Sequence, residues 1–274
     1  MKLLRNQKKV SLHSLREYGI ITHKLSRRRT SDEEWGGCMP NMDGLVNMPR
    51  TKRGIATLNN ILSAAAHVFY EKGYHQASIH DITSMAGVAS GTFYIYFDGK
   101  YNLYKFLLLQ CSHRIRRNLY KSIQNCKTRR EAERVGLKSW LQFVKNNQYM
   151  YHIIWESLYV DKQLFVDYYV NFCNSYRMGL DQAYGAGELR DIDTEVLAYT
   201  LMGASNFLGL KWGLFLENTP DEELERVTNE FMKILEGGIF REDFAPKNEK
   251  PAKVEENRPN TRFRVELDEE GSFF

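Results

Sequence analysis

No run of about 18 apolar residues occurs in the chain, so it has no stretch fit to cross a bilayer as a helix; no membrane partner and a cytoplasmic setting are expected. Cysteine is scarce. Cys38, Cys111, Cys126 and Cys173 lie far apart with no Cys-x-x-Cys pair, which argues against a zinc site or a secreted disulfide framework. No phosphate-cradling loop, Gly-x-Ser-x-Gly elbow or kinase motif set is present. His75 and His80 are five residues apart, off a common helical face, and no Cys or acidic pair completes a metal shell around them. Catalysis, a bound metal and a cofactor are therefore not expected. Alternating strand patterns are missing as well.

What remains is helical periodicity, in a chain of 274 residues long enough for two apolar cores. The net charge of +4 is too small to name a partner, so the placement of charge has to decide. Residues 1–48 read as a flexible basic extension. Met48-Pro49-Arg50-Thr51-Lys52 also makes a natural short basic beginning, and whether residues 1–47 are native stays open at this point. Residues 245–274, with Pro246, Pro251 and Pro259 among mixed charges, read as a flexible tail. Between them, 49–99 and 100–244 read as a smaller and a larger helical domain.

In the smaller domain, Ile55, Leu58, Ile61, Leu62, Ala65, Val68 and Phe69 recur at three-and-four spacing, and Lys72-Gly73 supplies a stop. Ser78 caps a second helix, with Asp81 in the capping-box position. Gly87 turns the chain into a third helix, from about Ala89 to Phe97. This helix-turn-helix is of the length used to lay a helix in the major groove. At about 100° per residue, Phe93 and Phe97, with Ala89 beside them, should face the core. Gly91, Thr92, Tyr94 and Ile95 should face outward on a surface without charge. Thr can exchange hydrogen bonds and offer a methyl to thymine, Tyr can reach a phosphate or stack, and Gly admits close backbone approach. Ser78, Ser90, Tyr96 and Lys100 are expected at the rim, on phosphates. Arg50, Lys52 and Arg53 stand just before the first helix, where an arm could follow the backbone or a minor groove.

The run from Ile55 to Leu103 resembles the N-terminal domain of TetR/AcrR-type transcriptional regulators. The residues that carry the resemblance include Ala64-Ala65, Phe69, Glu71-Lys72-Gly73-Tyr74, Ile82, Ala86-Gly87-Val88, Gly91-Thr92-Phe93-Tyr94, Tyr96-Phe97 and Lys100. The resemblance implies an all-α homodimer, usually a repressor, whose C-terminal domain binds a small molecule that releases it from double-stranded operator DNA. By position it implies Ser90, Gly91, Thr92, Tyr94 and Ile95 in the groove. Many relatives have Lys where this chain has Ser90, so base discrimination should lean on Thr92, Tyr94 and DNA shape. A helical module that docks on another protein through the same uncharged face is the rival reading.

The larger domain is expected to hold the effector. Phe165, Tyr168, Tyr169, Phe172 and Tyr176 form a stripe on one predicted helix, and Tyr149, His152, Trp155 and Glu156 lie upstream. So many tyrosines need polar partners if buried, and aromatic walls with a few hydroxyls are a usual form of small-molecule site. Asn206 adds a polar group to an apolar helix. Gly203, Ala204, Gly209 and Gly213, on a helix expected over 193–216, would let a second copy come close, and helix 221–238 would complete a four-helix dimer interface.

Overall fold

The computed structural model describes residues 44–216 and 218–237. The expectations for residues 1–43 and for the 245–274 tail lie outside the described residues, and 44–48 run up to the first helix. The described residues hold helices and no strand. The described residues up to Glu236 belong to one unit.

Helix α1 spans Lys52–Gln76, opened by Thr51, whose side chain accepts from the Gly54 amide at 3.1 Å. Its stripe of Leu58, Ile61, Leu62, Ala65 and Phe69 is fully buried. Gly73 leaves helical geometry at φ 74°, a left-handed value that glycine adopts without strain, and so ends the regular helix where the sequence pattern stops. Helix α2 (Ile79–Ala86) starts on a capping box: the Ser78 side chain accepts from the Asp81 amide at 3.0 Å, and Asp81 Oδ2 accepts from the Ser78 amide at 3.0 Å. Gly87, at φ 68°, makes the turn into α3 (Ser90–Tyr96). Phe93 and Phe97 close this three-helix head, 5.8 Å apart, and Phe97 meets Phe106 of the next helix. Ala89, expected inside, is instead the exposed N-cap residue of α3.

Helix α4 (Lys100–Ile123) serves both parts of the molecule: Leu103, Tyr104 and Phe106 are buried under the head, and its last turns enter the body. The body continues as α5 (Arg129–Asn146), α6 (Gln148–Val160), α7 (Lys162–Gly185), α8 (Thr194–Gly209) and α9 (Asp221–Gly237). Helix α6 packs against α1, and the Tyr104 hydroxyl donates to the Ile153 carbonyl at 2.7 Å, so head and body meet along a built seam.

The single helix expected over 193–216 is not uniform. After Gly209 it widens into a π-helical segment, Leu210–Phe215. At that place α8 presses on α5: a Cβ on Gly209 would lie 3.1 Å from Trp140 Nε1, and one on Gly213 would lie 2.7 Å from Val144 Cγ1. These two glycines serve packing within the chain and not contact between copies, which corrects the sequence reading. Gly203 alone of the three faces open space.

Candidate nucleic-acid interface and effector cavity

On α3, the buried pair Phe93 and Phe97 fixes which face points outward. Tyr94 and Ile95 are 55% and 62% exposed, Ser90 and Gly91 are exposed, and Thr92 is half-buried. The face is open and uncharged, as the wheel requires. Arg50, Lys52 and Arg53 are exposed around the start of α1, whose first turn has no acidic residue. Cations at a helix N-terminus oppose the helix dipole, so their place there is not explained by helix stability.

Two rim assignments, Tyr96 and Lys100, need correction. Tyr96 is buried: at i+3 from Phe93 it shares the inward side, and its hydroxyl donates to the Gly54 carbonyl at 3.2 Å, tying α3 to the start of α1. Lys100 turns inward too. Its ammonium donates to the carbonyls of Tyr74 at 2.7 Å and Ala77 at 2.8 Å and sits 4.4 Å from the Tyr74 ring centre. It caps the carbonyl end of α1, where a cation complements the dipole, and burial pulls its pKa down. Ser78 is exposed, but its hydroxyl is held in the capping box, donating to Asp81 Oδ2 at 2.7 Å.

In the body, α4, α5, α7 and α8 enclose a cavity of about 120 Å³. Helix α4 contributes Arg116, Leu119, Tyr120 and Ile123; α5 contributes the face from Arg129 through Glu133 and Leu137 to Trp140. Tyr168, Tyr169, Phe172, Ser175 and Tyr176 come from α7, and Met202, Ser205 and Asn206 from α8. The Asn206 side-chain amide donates to the Met202 carbonyl at 2.9 Å, within its own helix. Glu133 is paired with Arg129 and accepts from the Tyr176 hydroxyl, and burial together with that carboxylate pushes the Tyr176 pKa well up.

Five of the ten expected effector residues line this cavity: Tyr168, Tyr169, Phe172, Tyr176 and Asn206. Tyr149, His152, Trp155, Glu156 and Phe165 do not. His152 stacks edge-on against Tyr70 of α1, and Glu156 Oε1 accepts from the Tyr74 amide at 2.5 Å, so both belong to the seam between head and body. Tyr149 accepts from Arg114 at 3.1 Å, and Trp155 and Phe165 pack on each other where α6 meets α7.

Residues 61–106 match the family described as bacterial regulatory proteins, tetR family. The HTH-type transcriptional activator FasR of Mycolicibacterium smegmatis is 26% identical over 113 residues, 41% of this chain and 50% of that protein. The chain spans half or less of the length of the curated relatives it matches. Over the whole body the likeness is one of fold. The fatty acid degradation regulator FadR of Bacillus halodurans superposes with a TM-score of 0.59 at 18% identity, covering 70% of this chain and 98% of that one. FadR of Bacillus subtilis, in complex with stearoyl-CoA, gives 0.55 at 22%, covering 66% and 98%.

The tetR-family match falls on the helical head and the start of α4. The head was the legible part of the chain, because its motif is local and its caps are short-range. Most of the cavity residues missed from sequence lie on α4 and α5, the others being Ser175 on α7 and Met202 and Ser205 on α8. Arg116, Leu119, Tyr120 and Ile123 do recur at helical spacing, as do Ala132, Glu133, Gly136, Leu137 and Trp140. That signal marks an inward face, but a packed face and a cavity wall share it.

Proposed function

We propose that the protein is a cytoplasmic, ligand-responsive transcriptional regulator that binds operator DNA as a homodimer through α3 and is released by an effector in the body cavity. The open, uncharged face of Gly91, Thr92, Tyr94 and Ile95, held outward by buried Phe93 and Phe97 on a TetR-family head, carries the reading. Arg50, Lys52 and Arg53 supply the phosphate charge that α3 lacks, with Ser90 beside the groove. Residues 49–99 are the DNA-binding part and 100–244 the effector-binding and dimerising part.

Dimerisation is supported by an apolar stripe on the outer face of α8, where Val196, Tyr199, Gly203 and Phe207 recur at three-and-four spacing and Phe207 is 68% exposed. Phe215 beyond it and Ile234 on α9 are exposed as well. Two copies joined there present two recognition helices to two half-sites. An acyl-chain compound is the effector class supported by the apolar cavity and by the names of the relatives, which include a FadR bound to stearoyl-CoA.

Selection of binding sites by the full chain from a random duplex pool tests this. An inverted repeat should emerge, with affinity falling linearly with salt on logarithmic axes as counterions are released. No enrichment at low salt, or salt-insensitive capture of a protein through α3, would favour the protein-docking module instead.

A further inference from the structure

The cavity wall carries three charged side chains, and two of them neutralise each other. Arg129 and Glu133 are ion-paired one helical turn apart, with Tyr176 on the second carboxylate oxygen. Arg116, on α4, is left over: it forms no hydrogen bond or ion pair with any described residue. It stays charged, since a guanidinium does not give up its proton in a protein. A half-buried, unpaired cation against apolar walls is costly unless something completes it. Burial pulls its pKa down, and the neighbouring Tyr168 acts in the opposite direction. Tyr168 and Tyr169 line the same space, and their hydroxyls likewise form no hydrogen bond to a described residue.

We propose that Arg116 anchors the carboxylate of an amphiphilic effector, so that the cavity takes an apolar chain ending in a free carboxylic acid and not its CoA thioester. This rests on reading the cavity as the effector site. The guanidinium fork matches one carboxylate with two parallel hydrogen bonds, and Tyr168 or Tyr169 can donate a further one. Charge count points the same way. Two arginines against one glutamate leave the lining with a single positive charge, which one carboxylate balances. A thioester is uncharged at its acyl carbonyl, and the several phosphates of its CoA part find only one free cation in this lining. The remaining wall, Leu119, Ile123, Leu137, Phe172 and Met202, suits a hydrocarbon tail. At roughly 10–15 Å³ for each water, the cavity has room for about ten waters, the scale of a medium-length chain.

Calorimetry on the delipidated full chain, without DNA, tests the proposal with three probes: dodecanoate, methyl dodecanoate and dodecanoyl-CoA. Dodecanoate is expected to bind at least about tenfold more tightly than the ester, the ratio that 1.4 kcal/mol of lost anchoring gives. Arg116→Met should erase that preference by weakening the acid alone, and Arg116→Lys should keep part of it. Ester binding equal to acid binding, or thioester binding tighter than acid and indifferent to Arg116→Met, overturns the proposal, as does failure of all three to bind. If Arg116→Met fails to fold by circular dichroism, the acid-to-ester ratio in the unaltered chain and in Arg116→Lys decides. Because no DNA is present, a negative result leaves the DNA-binding reading untouched, and a failure of DNA binding leaves this one untouched.

Discussion

Phe93 and Tyr94 are adjacent in sequence and opposite in duty. Phe93 is fully buried against Phe97, whereas Tyr94 projects from the head. Phe93→Ala removes a ring from a closed core and should lower unfolding stability by about 3–5 kcal/mol, read by urea denaturation. Tyr94→Ala should leave that midpoint in place and weaken binding to the selected DNA site. A Tyr94→Ala variant that unfolds early would mean the ring packs and does not read. Tyr96, expected at the rim on phosphates, lies three residues from Phe93, only about 60° around the axis, which puts it inside. Lys100 was misplaced for a different reason: the carbonyls that hold it, at Tyr74 and Ala77, belong to a turn more than twenty residues away, and nothing local announces them.

At the scale of the element, α2 depends on charge at its first turn. The Lys72 ammonium, hydrogen-bonded at 2.7 Å, and then the Ser78 cap hold the Asp81 carboxyl far below the ordinary carboxylate range. A carboxyl whose folded pKa is depressed stabilises the fold above its unfolded pKa of about 3.9 and loses that contribution as pH falls toward the folded value. Denaturation of the native chain and of Asp81→Asn should therefore differ at neutral pH and converge as pH falls below about 4. A gap that persists in acid would show that the side chain acts by shape and not by charge. A cap of this kind made the helix start at Ser78 readable in sequence, since it is settled within three residues; Thr51 and Thr128 make the same short-range contact at the starts of α1 and α5. The widening after Gly209 was not readable, because it lies where α8 meets Val144 and Trp140 of another helix. The cavity was half readable for the same reason: the α7 stripe carries the aromatics, while α4 and α5 carry the charges, and only their meeting makes a site.

At the scale of the whole molecule, α4 runs from the head to the cavity. Lys100 at its start holds the end of α1, and Arg116 stands sixteen residues on, about 24 Å along the axis at 1.5 Å per residue. Beside it, Glu156 of α6 accepts from the Tyr74 amide, whose own carbonyl receives Lys100. Both sides of the turn that ends α1 are thus held by the body, by a carboxylate on the amide and an ammonium on the carbonyl. A ligand that bound equally well to both arrangements of this seam would change nothing at α3, so release requires that effector and DNA favour different ones. Glu156→Ala removes one of the two holds without touching cavity or α3. The expected outcome is that affinity for DNA alone and for effector alone stay within about threefold, while the factor by which effector weakens DNA binding shrinks from the usual 5–150-fold toward one. Four titrations measure this: effector with and without DNA, and DNA with and without effector. Because the two coupling factors must be equal at equilibrium, each checks the other. An unchanged factor in a variant that remains folded would remove Glu156 from the route and leave α4, which carries both Lys100 and Arg116, as the connection to test next.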